Sequence, residues 1–455
     1  MLKFIIGLLW VSYIIALKDI DSDHSQYLRS IPDDSKATQT LHSHVFRESL
    51  PELANRDDLT QLNIVRHDLI HEVVFVIKQR NIDELTRLLH DISDPLSAKY
   101  GEHMTKAEVR LLTSNPESRD AVVAYLKSNG AFVTSETTGG EYISAKGPIS
   151  LWEKVFNTKF FVFHQMHENV LVGEIVRAEK YWVPRELNLH VDSVFNIIEA
   201  PIVMYGNTPA HKFVPEPPKK TRWASKGNSL PLVTPAKLRS YYNVGNAKGS
   251  DASTQAIYAS LKQYFSPTDV KKFLNSFAPP ARDVIVVRND SSDAKCILDA
   301  GNCAESNLYL EYMMGMSQVS PTTSWYTDAP FHYWLMEVAN STSIPLVLSI
   351  SYGAEEKFVS DSVHDAFTIE AKKLGLMGVT IFAASGDDGA NSRFVRTKGP
   401  TSCGYISIFP ASNPYVTSVG ATAVRLLPSL TSFDRNFFSL SLMPYKLILI
   451  LTAGC

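Results

Sequence analysis

Ser385-Gly386-Asp387-Asp388-Gly389 sets two carboxyl groups side by side among residues too small to cover them. The apolar run Gly378-Val379-Thr380-Ile381-Phe382 stands just before it. A short apolar run closed by turn residues predicts a buried parallel strand. In an open α/β sheet, ligands sit beyond the carboxyl ends of such strands, which places Asp387 at the mouth of a crevice. Read from the loop alone, the alternative is an Asp-Gly turn that only ends a strand. His67 and His71 have a spacing that lets zinc ligands share one helix face. No Glu follows His67 and no third ligand stands out, so two solvated histidines and no metal site are expected.

Met1-Leu2-Lys3 leads into an apolar stretch from Phe4 to Ala16, the pattern of a signal peptide over residues 1–17. That stretch is too short to span a bilayer securely, and no other is long enough, so no stable membrane span is expected. If the chain is exported, Cys296 and Cys303, which flank a loop holding Asp299, Gly301 and Asn302, are expected to pair. The alternative is two buried thiols. Asn289-Asp290-Ser291 and Asn340-Ser341-Thr342 are then glycosylation sequons. A formal net charge of -3 and the lack of any basic run argue against a nucleic-acid partner. A chain of 455 residues, 45% hydrophobic, has room for at least two cores.

The elements that would position these groups fall into two modules. Residues 18–70 are polar and lack sustained periodicity. From Glu72 the chain becomes regular: a strand at Val73–Ile77, then a helix from Ile82 to Ile92 with Leu85, Leu88, Leu89 and Ile92 on one face. Ser93-Asp94-Pro95 ends that helix, and Thr105 with Glu108 forms a capping box for the next. Arg119–Lys127 is helical. Ala131–Thr137 and Glu141–Ala145 read as a hairpin around Gly139-Gly140. Leu151–Phe156 is amphipathic and Lys159–His164 a strand, giving an α+β module over residues 71–200. The Pro- and Lys-rich residues 201–229 read as a linker, either a processing site or an uncut connection. From residue 230 strands at Gln255–Ala259, Ile285, Ile344–Ile350 and Val379–Ala383 alternate with helices at Val270–Phe277, Glu305–Met316 and Ser360–Leu374. That alternation predicts a doubly wound parallel α/β sheet.

Several motifs agree on one family. Ser93-Asp94-Pro95-Leu96-Ser97-Ala98-Lys99-Tyr100-Gly101, with Met104-Thr105 and Glu108-Val109, resembles the activation-domain signature of the serine-carboxyl peptidases, the sedolisins. Thr234-Pro235-Ala236-Lys237-Leu238-Arg239 and Tyr242-Asn243-Val244 resemble the start of the mature enzyme. Gln263-Tyr264-Phe265-Ser266-Pro267-Thr268-Asp269 resembles its next helix, and the Asp387 loop its Ser-Gly-Asp-Ser-Gly loop. Phe409–Gly420 resembles the strand after that loop. The resemblance runs from Glu72 to Val424 and implies a pro-kumamolisin-like activation domain over 71–200 and a partial, subtilisin-like peptidase domain over 230–424. It implies a proenzyme that releases tripeptides from free protein N-termini at acidic pH, in the lysosome or outside the cell. Its partners would be peptide or protein substrates and its own activation domain. Glu305 matches the general base, Asp387 the oxyanion-hole aspartate, and Ser351-Tyr352-Gly353 the segment that pairs with substrate backbone. An aspartate that donates to an oxyanion must be protonated, hence the acidic setting.

The chain departs from the family at three places. Tyr309 stands where the orienting aspartate should follow Glu305; its hydroxyl can hydrogen-bond the glutamate but cannot share a proton as a carboxylate dyad does. Glu311 lies about 240° further round the helix and should point elsewhere. Asp388 replaces the loop serine, and either helps keep Asp387 protonated or misdirects it. The family's Gly-Thr-Ser nucleophile motif does not occur, and its calcium loop has no counterpart, so no cofactor is expected. Residues 425–455 read as a divergent tail from a truncated or misjoined coding sequence. The expectation is an inactive chain as it stands, with a non-catalytic binder or inhibitor of an active relative as the alternative.

Overall fold

The computed structural model describes residues 43–49, 56, 58–167, 170–199, 233–288, 290–327, 329–386, 405–420, 438–443 and 446–451. Both folded modules belong to one compact unit within residues 47–455. The expected signal peptide, the linker, Asp387, Asp388 and Asn289 all lie outside the described residues.

Among the described residues a two-stranded sheet joins His44–Ser49 to Lys180–Pro184, and the two larger sheets of the first module are antiparallel. Strands β1 (Leu59–Ile64), β5 (Phe161–His167) and β6 (Val170–Arg177) make one. Strands β2 (Ile70–Ile77), β3 (Phe132–Glu136), β4 (Tyr142–Pro148) and β7 (Val191–Phe195) make the other, in the order β3-β4-β2-β7. Helices α1 (Ile82–Ser93), α2 (Lys106–Thr113), α3 (Pro116–Ser128) and α4 (Ile149–Val155) connect them. Local chemistry sets their ends as expected. Leu85, Leu89 and Ile92 are the buried face of α1, and the Thr105–Glu108 capping box opens α2.

Strand β2 explains how the modules join. Alternate side chains of a strand point to opposite faces. Val73, Phe75 and Ile77 enter a core with Val122 and Leu126 of α3 and Trp152 of α4. Val74 and Val76 face the other way, with Tyr142 and Phe195, into a core shared with the second module. A strand covered on both sides needs no polar face, hence the unbroken apolar run.

In the second module the six strands of the main sheet all run parallel. Strands β8 (Gln255–Ala259), β9 (Ile285–Val287), β10 (Thr322–Tyr326), β11 (Val347–Ile350), β12 (Thr380–Ala384) and β13 (Thr417–Val419) take the order β9-β10-β8-β11-β12-β13. Registers such as Ile257↔Ser324, Ile257↔Ser349 and Ser349↔Phe382 fix which strand ends are neighbours. Helices α5 (Pro267–Phe277), α6 (Asp293–Leu298), α7 (Ala304–Met316), α8 (Phe331–Asn340) and α9 (Asp361–Leu376) complete it. Ala256 and Tyr258 of β8 pack towards α8 and α9, while Ile257 and Ala259 pack towards α5 and α7. Helices therefore cover both faces, the doubly wound arrangement the sequence predicts.

Three readings are corrected. His67 lies in a turn and His71 in β2, so they share no helix face. Their imidazoles are engaged separately, His67 with Glu153 at 3.2 Å and His71 with the Asn196 carbonyl at 2.7 Å. Residues 59–64, read as part of an irregular polar segment, form β1. Strand β10 and helix α8 went unanticipated and are central to the second module.

Candidate active site

The carboxyl ends of β8, β10, β11 and β12 converge on one edge of the parallel sheet, and the first turn of α7 stands over it. Cys303 caps that helix and is tied to Cys296 by a disulfide with a Cα–Cα distance of 5.4 Å. Glu305 follows in the first turn, 4% exposed, where the helix dipole favours a negative charge. One turn on, the Tyr309 hydroxyl donates to Glu305 Oε1. Burial first, then the Glu305 charge, pushes the Tyr309 phenol well above the ordinary tyrosine range. It is therefore a donor at every physiological pH and holds no proton in common with the glutamate.

Gln263, beyond β8, clamps the start of the same helix. Its Oε1 accepts from the Glu305 backbone N–H at 3.4 Å, and its Nε2 donates to the Gly301 carbonyl at 3.1 Å. Ser351-Tyr352-Gly353 leaves the end of β11. The partly exposed Ser351 lies beside the Tyr309 phenol, and its hydroxyl favours the ionised phenol, opposing burial. Tyr352 is 1% exposed, with its ring edge-on to Tyr258 at 5.4 Å and its hydroxyl 3.4 Å from the Ser260 carbonyl. Only its backbone can meet a ligand. Gly353 must be glycine, because a Cβ there would lie 2.4 Å from Ile408 Cγ2 and 3.2 Å from the Phe409 carbonyl oxygen.

Glu305, Tyr309 and Ser351 are thus brought together, with Tyr352 beneath them. Glu311 faces Asp269 of α5; burial, then the Asp269 charge, pushes its carboxyl up to about 7. Sequence reasoning missed two residues. Gln263 carried recognition of the motif but gave no hint of its clamp. Asp290, inside a sequon, is fully buried; burial pushes its carboxyl up to about 6, against a 2.5 Å hydrogen bond donated by Ser324. Among the described residues no group of three or more His, Cys, Asp or Glu side chains is placed to hold a metal ion. Among the described residues no helix is long and apolar enough to cross a membrane.

The two-faced first module packs on a parallel sheet with a buried glutamate near the strand ends, and the sequence comparisons agree with the resemblance to the serine-carboxyl peptidases, the sedolisins. The pro-kumamolisin activation domain matches residues 58–200. Tripeptidyl-peptidase 1 of Mus musculus is similar, 28% identical over 377 residues, covering 78% of this chain and 61% of the relative. Tripeptidyl-peptidase SED2 of Arthroderma otae is 26% identical over 395 residues, covering 80% of this chain and 65% of that one. The chain therefore spans less than two thirds of the length of these relatives. Pseudomonas sedolisin, a serine-carboxyl proteinase solved with two molecules of pseudo-iodotyrostatin, aligns at a TM-score of 0.33. It is 16% identical and covers 42% of this chain and 54% of its own, a likeness on which nothing further rests.

Proposed function

We propose that the chain carries the general-base half of a tripeptide-releasing peptidase, made as a proenzyme. The buried, phenol-bonded Glu305 over the carboxyl ends of the sheet carries this reading. In it, Glu305 takes the proton of a serine hydroxyl as that oxygen attacks the peptide carbonyl, and returns it to the leaving amine. Asp387, protonated in acid, donates to the developing oxyanion. Ser351 and the backbone of Tyr352-Gly353 align a peptide with a free N-terminus. The activation module assists folding and restrains the site until the 201–229 linker is cut. The chain acts in the lysosome or outside the cell, and the Cys296–Cys303 disulfide supports passage through an oxidising compartment.

No Gly-Thr-Ser occurs in the 455 residues, so hydrolysis belongs to a form of the product that supplies the serine. The test is release of tripeptides from an unblocked peptide at acidic pH. The 455-residue protein should release none and a serine-bearing longer form should release them. Release by the former would overturn inactivity, and failure of the latter would overturn the peptidase reading. Tyr309 in place of a second carboxylate favours one other function, a non-catalytic protein that binds or inhibits an active relative through its activation module. Inhibition of such a relative by the inactive chain would support it.

A further inference from the structure

Beyond β8 the backbone turns through Leu261 and Lys262 at φ of 57° and 59°, two successive non-glycine residues in the left-handed region. Each costs on the order of 1 kcal/mol there, and glycine would make the same turn without strain. The turn is held from several sides. Lys262 N–H donates to the Tyr326 hydroxyl at 3.2 Å, at the end of β10. Gln263 N–H donates to the Ser260 carbonyl at 3.0 Å, and Tyr264 N–H to the Asn302 carbonyl at 2.7 Å. Gln263 itself clamps the Glu305 helix.

The position of this turn points to what its side chains meet. Strand β8 pairs with β10 on one side and β11 on the other, and adjacent strands lie about 4.8 Å apart. Lys262 therefore stands between the end of β10 and Ser351-Tyr352-Gly353 at the end of β11, and the Tyr352 hydroxyl reaches the Ser260 carbonyl next to the turn. Leu261 is 44% exposed and Lys262 is exposed too, with the activation module in place. Among the described residues no carboxylate lies within ion-pair distance of Lys262. Glu305, on the helix that Gln263 clamps, is buried and bonded by Tyr309. A second cation, Lys295 Nζ, lies 5.6 Å over the Tyr264 ring.

We propose that Lys262 is a specificity-determining residue, whose ammonium receives an Asp or Glu side chain of a peptide bound along Ser351-Tyr352-Gly353. The proposal rests on the peptidase-type crevice. An exposed ion pair is worth roughly 0.2–1 kcal/mol, so the expected preference is at most about fivefold.

The experiment uses the full 455-residue protein and fluorescent peptides with free N-termini, binding read by anisotropy at pH 5.5. The peptides differ at one position, which carries Glu, Leu or Lys and is walked through the first four residues. At one position the Glu peptide should bind best and the Lys peptide worst. Lys262→Glu should reverse that order, and Lys262→Gln should level it while keeping the Leu peptide bound. An order unchanged in Lys262→Glu would overturn the proposal. Binding of no peptide by any variant would overturn the crevice reading and the proposal with it.

Discussion

Glu305 is oriented by a phenol, and a phenol cannot vary its charge to suit the reaction. Tyr309→Phe removes one donor from a buried carboxyl and should cost about 1–2 kcal/mol, read as a lower urea midpoint. Asp290 makes a different prediction. Its carboxyl stands near 6 when folded, against an ordinary value near 3.8, and its Oδ1 is buried without a partner. A raised carboxyl favours the fold while protonated, so its contribution is complete below about pH 4 and lost as pH rises through about 6. Asp290→Asn should therefore leave acid stability unchanged and gain about 2 kcal/mol at neutral pH, seen as a flatter plot of unfolding free energy against pH. Neither role was legible in the sequence. A buried acid and a solvated one are the same letter until the neighbouring strand supplies Ser324.

At the scale of elements, close approach and charge pairing set the tolerances. Gly353→Ala would drive a methyl against Ile408 and should cost about 1–3 kcal/mol, visible as a lower melting temperature and partly recovered by Ile408→Ala. Helix α9 meets the activation module through a buried group. Lys373 Nζ lies 3.0 Å from Glu370 Oε1 and 3.5 Å from Glu141 Oε1, and the Tyr142 hydroxyl donates to Glu370 Oε1 at 3.2 Å. Burial alone would lower the Lys373 ammonium and raise Glu141. The opposite charges outweigh it, holding Lys373 above and Glu141 below their usual values. Lys373→Met strands two buried carboxylates and should cost about 3–5 kcal/mol, seen as a lower urea midpoint for the docked modules. Helix α1, the capping box and strand β8 were legible because each carries its own pattern. Strand β10 was not: Thr322 and Ser324 are polar yet buried, satisfied by Gln255 and Asp290. Helix α8 hid as well, since Phe331, Trp334, Leu335 and Val338 leave it little polar face.

For the molecule as a whole, the two modules share one core. Val74, Val76, Tyr142 and Phe195 pack with Trp334, Leu335, Phe367 and Ala371. A single cut engineered within residues 201–229 should leave the fragments co-eluting on gel filtration at neutral pH. The depressed Glu141 contributes docking free energy above its usual carboxylate range and loses it as pH falls through its lower folded value. The fragments should accordingly part in strong acid sooner than a Glu141→Gln, Glu370→Gln, Lys373→Met variant. Both modules could be read from sequence, but not their shared core, because the β2 run shows only that both its faces are covered, not by what.

The Cys296–Cys303 cystine fastens the loop from which the Glu305 helix departs, through Gly301 and Asn302, to the Gln263 turn. Protein produced in a bacterial cytosol, or stored with dithiothreitol, would keep its secondary structure while the first turn of that helix slackens. A preparation that looks sound by circular dichroism could then be blind to ligands, and free-thiol titration would be the quality check that tells.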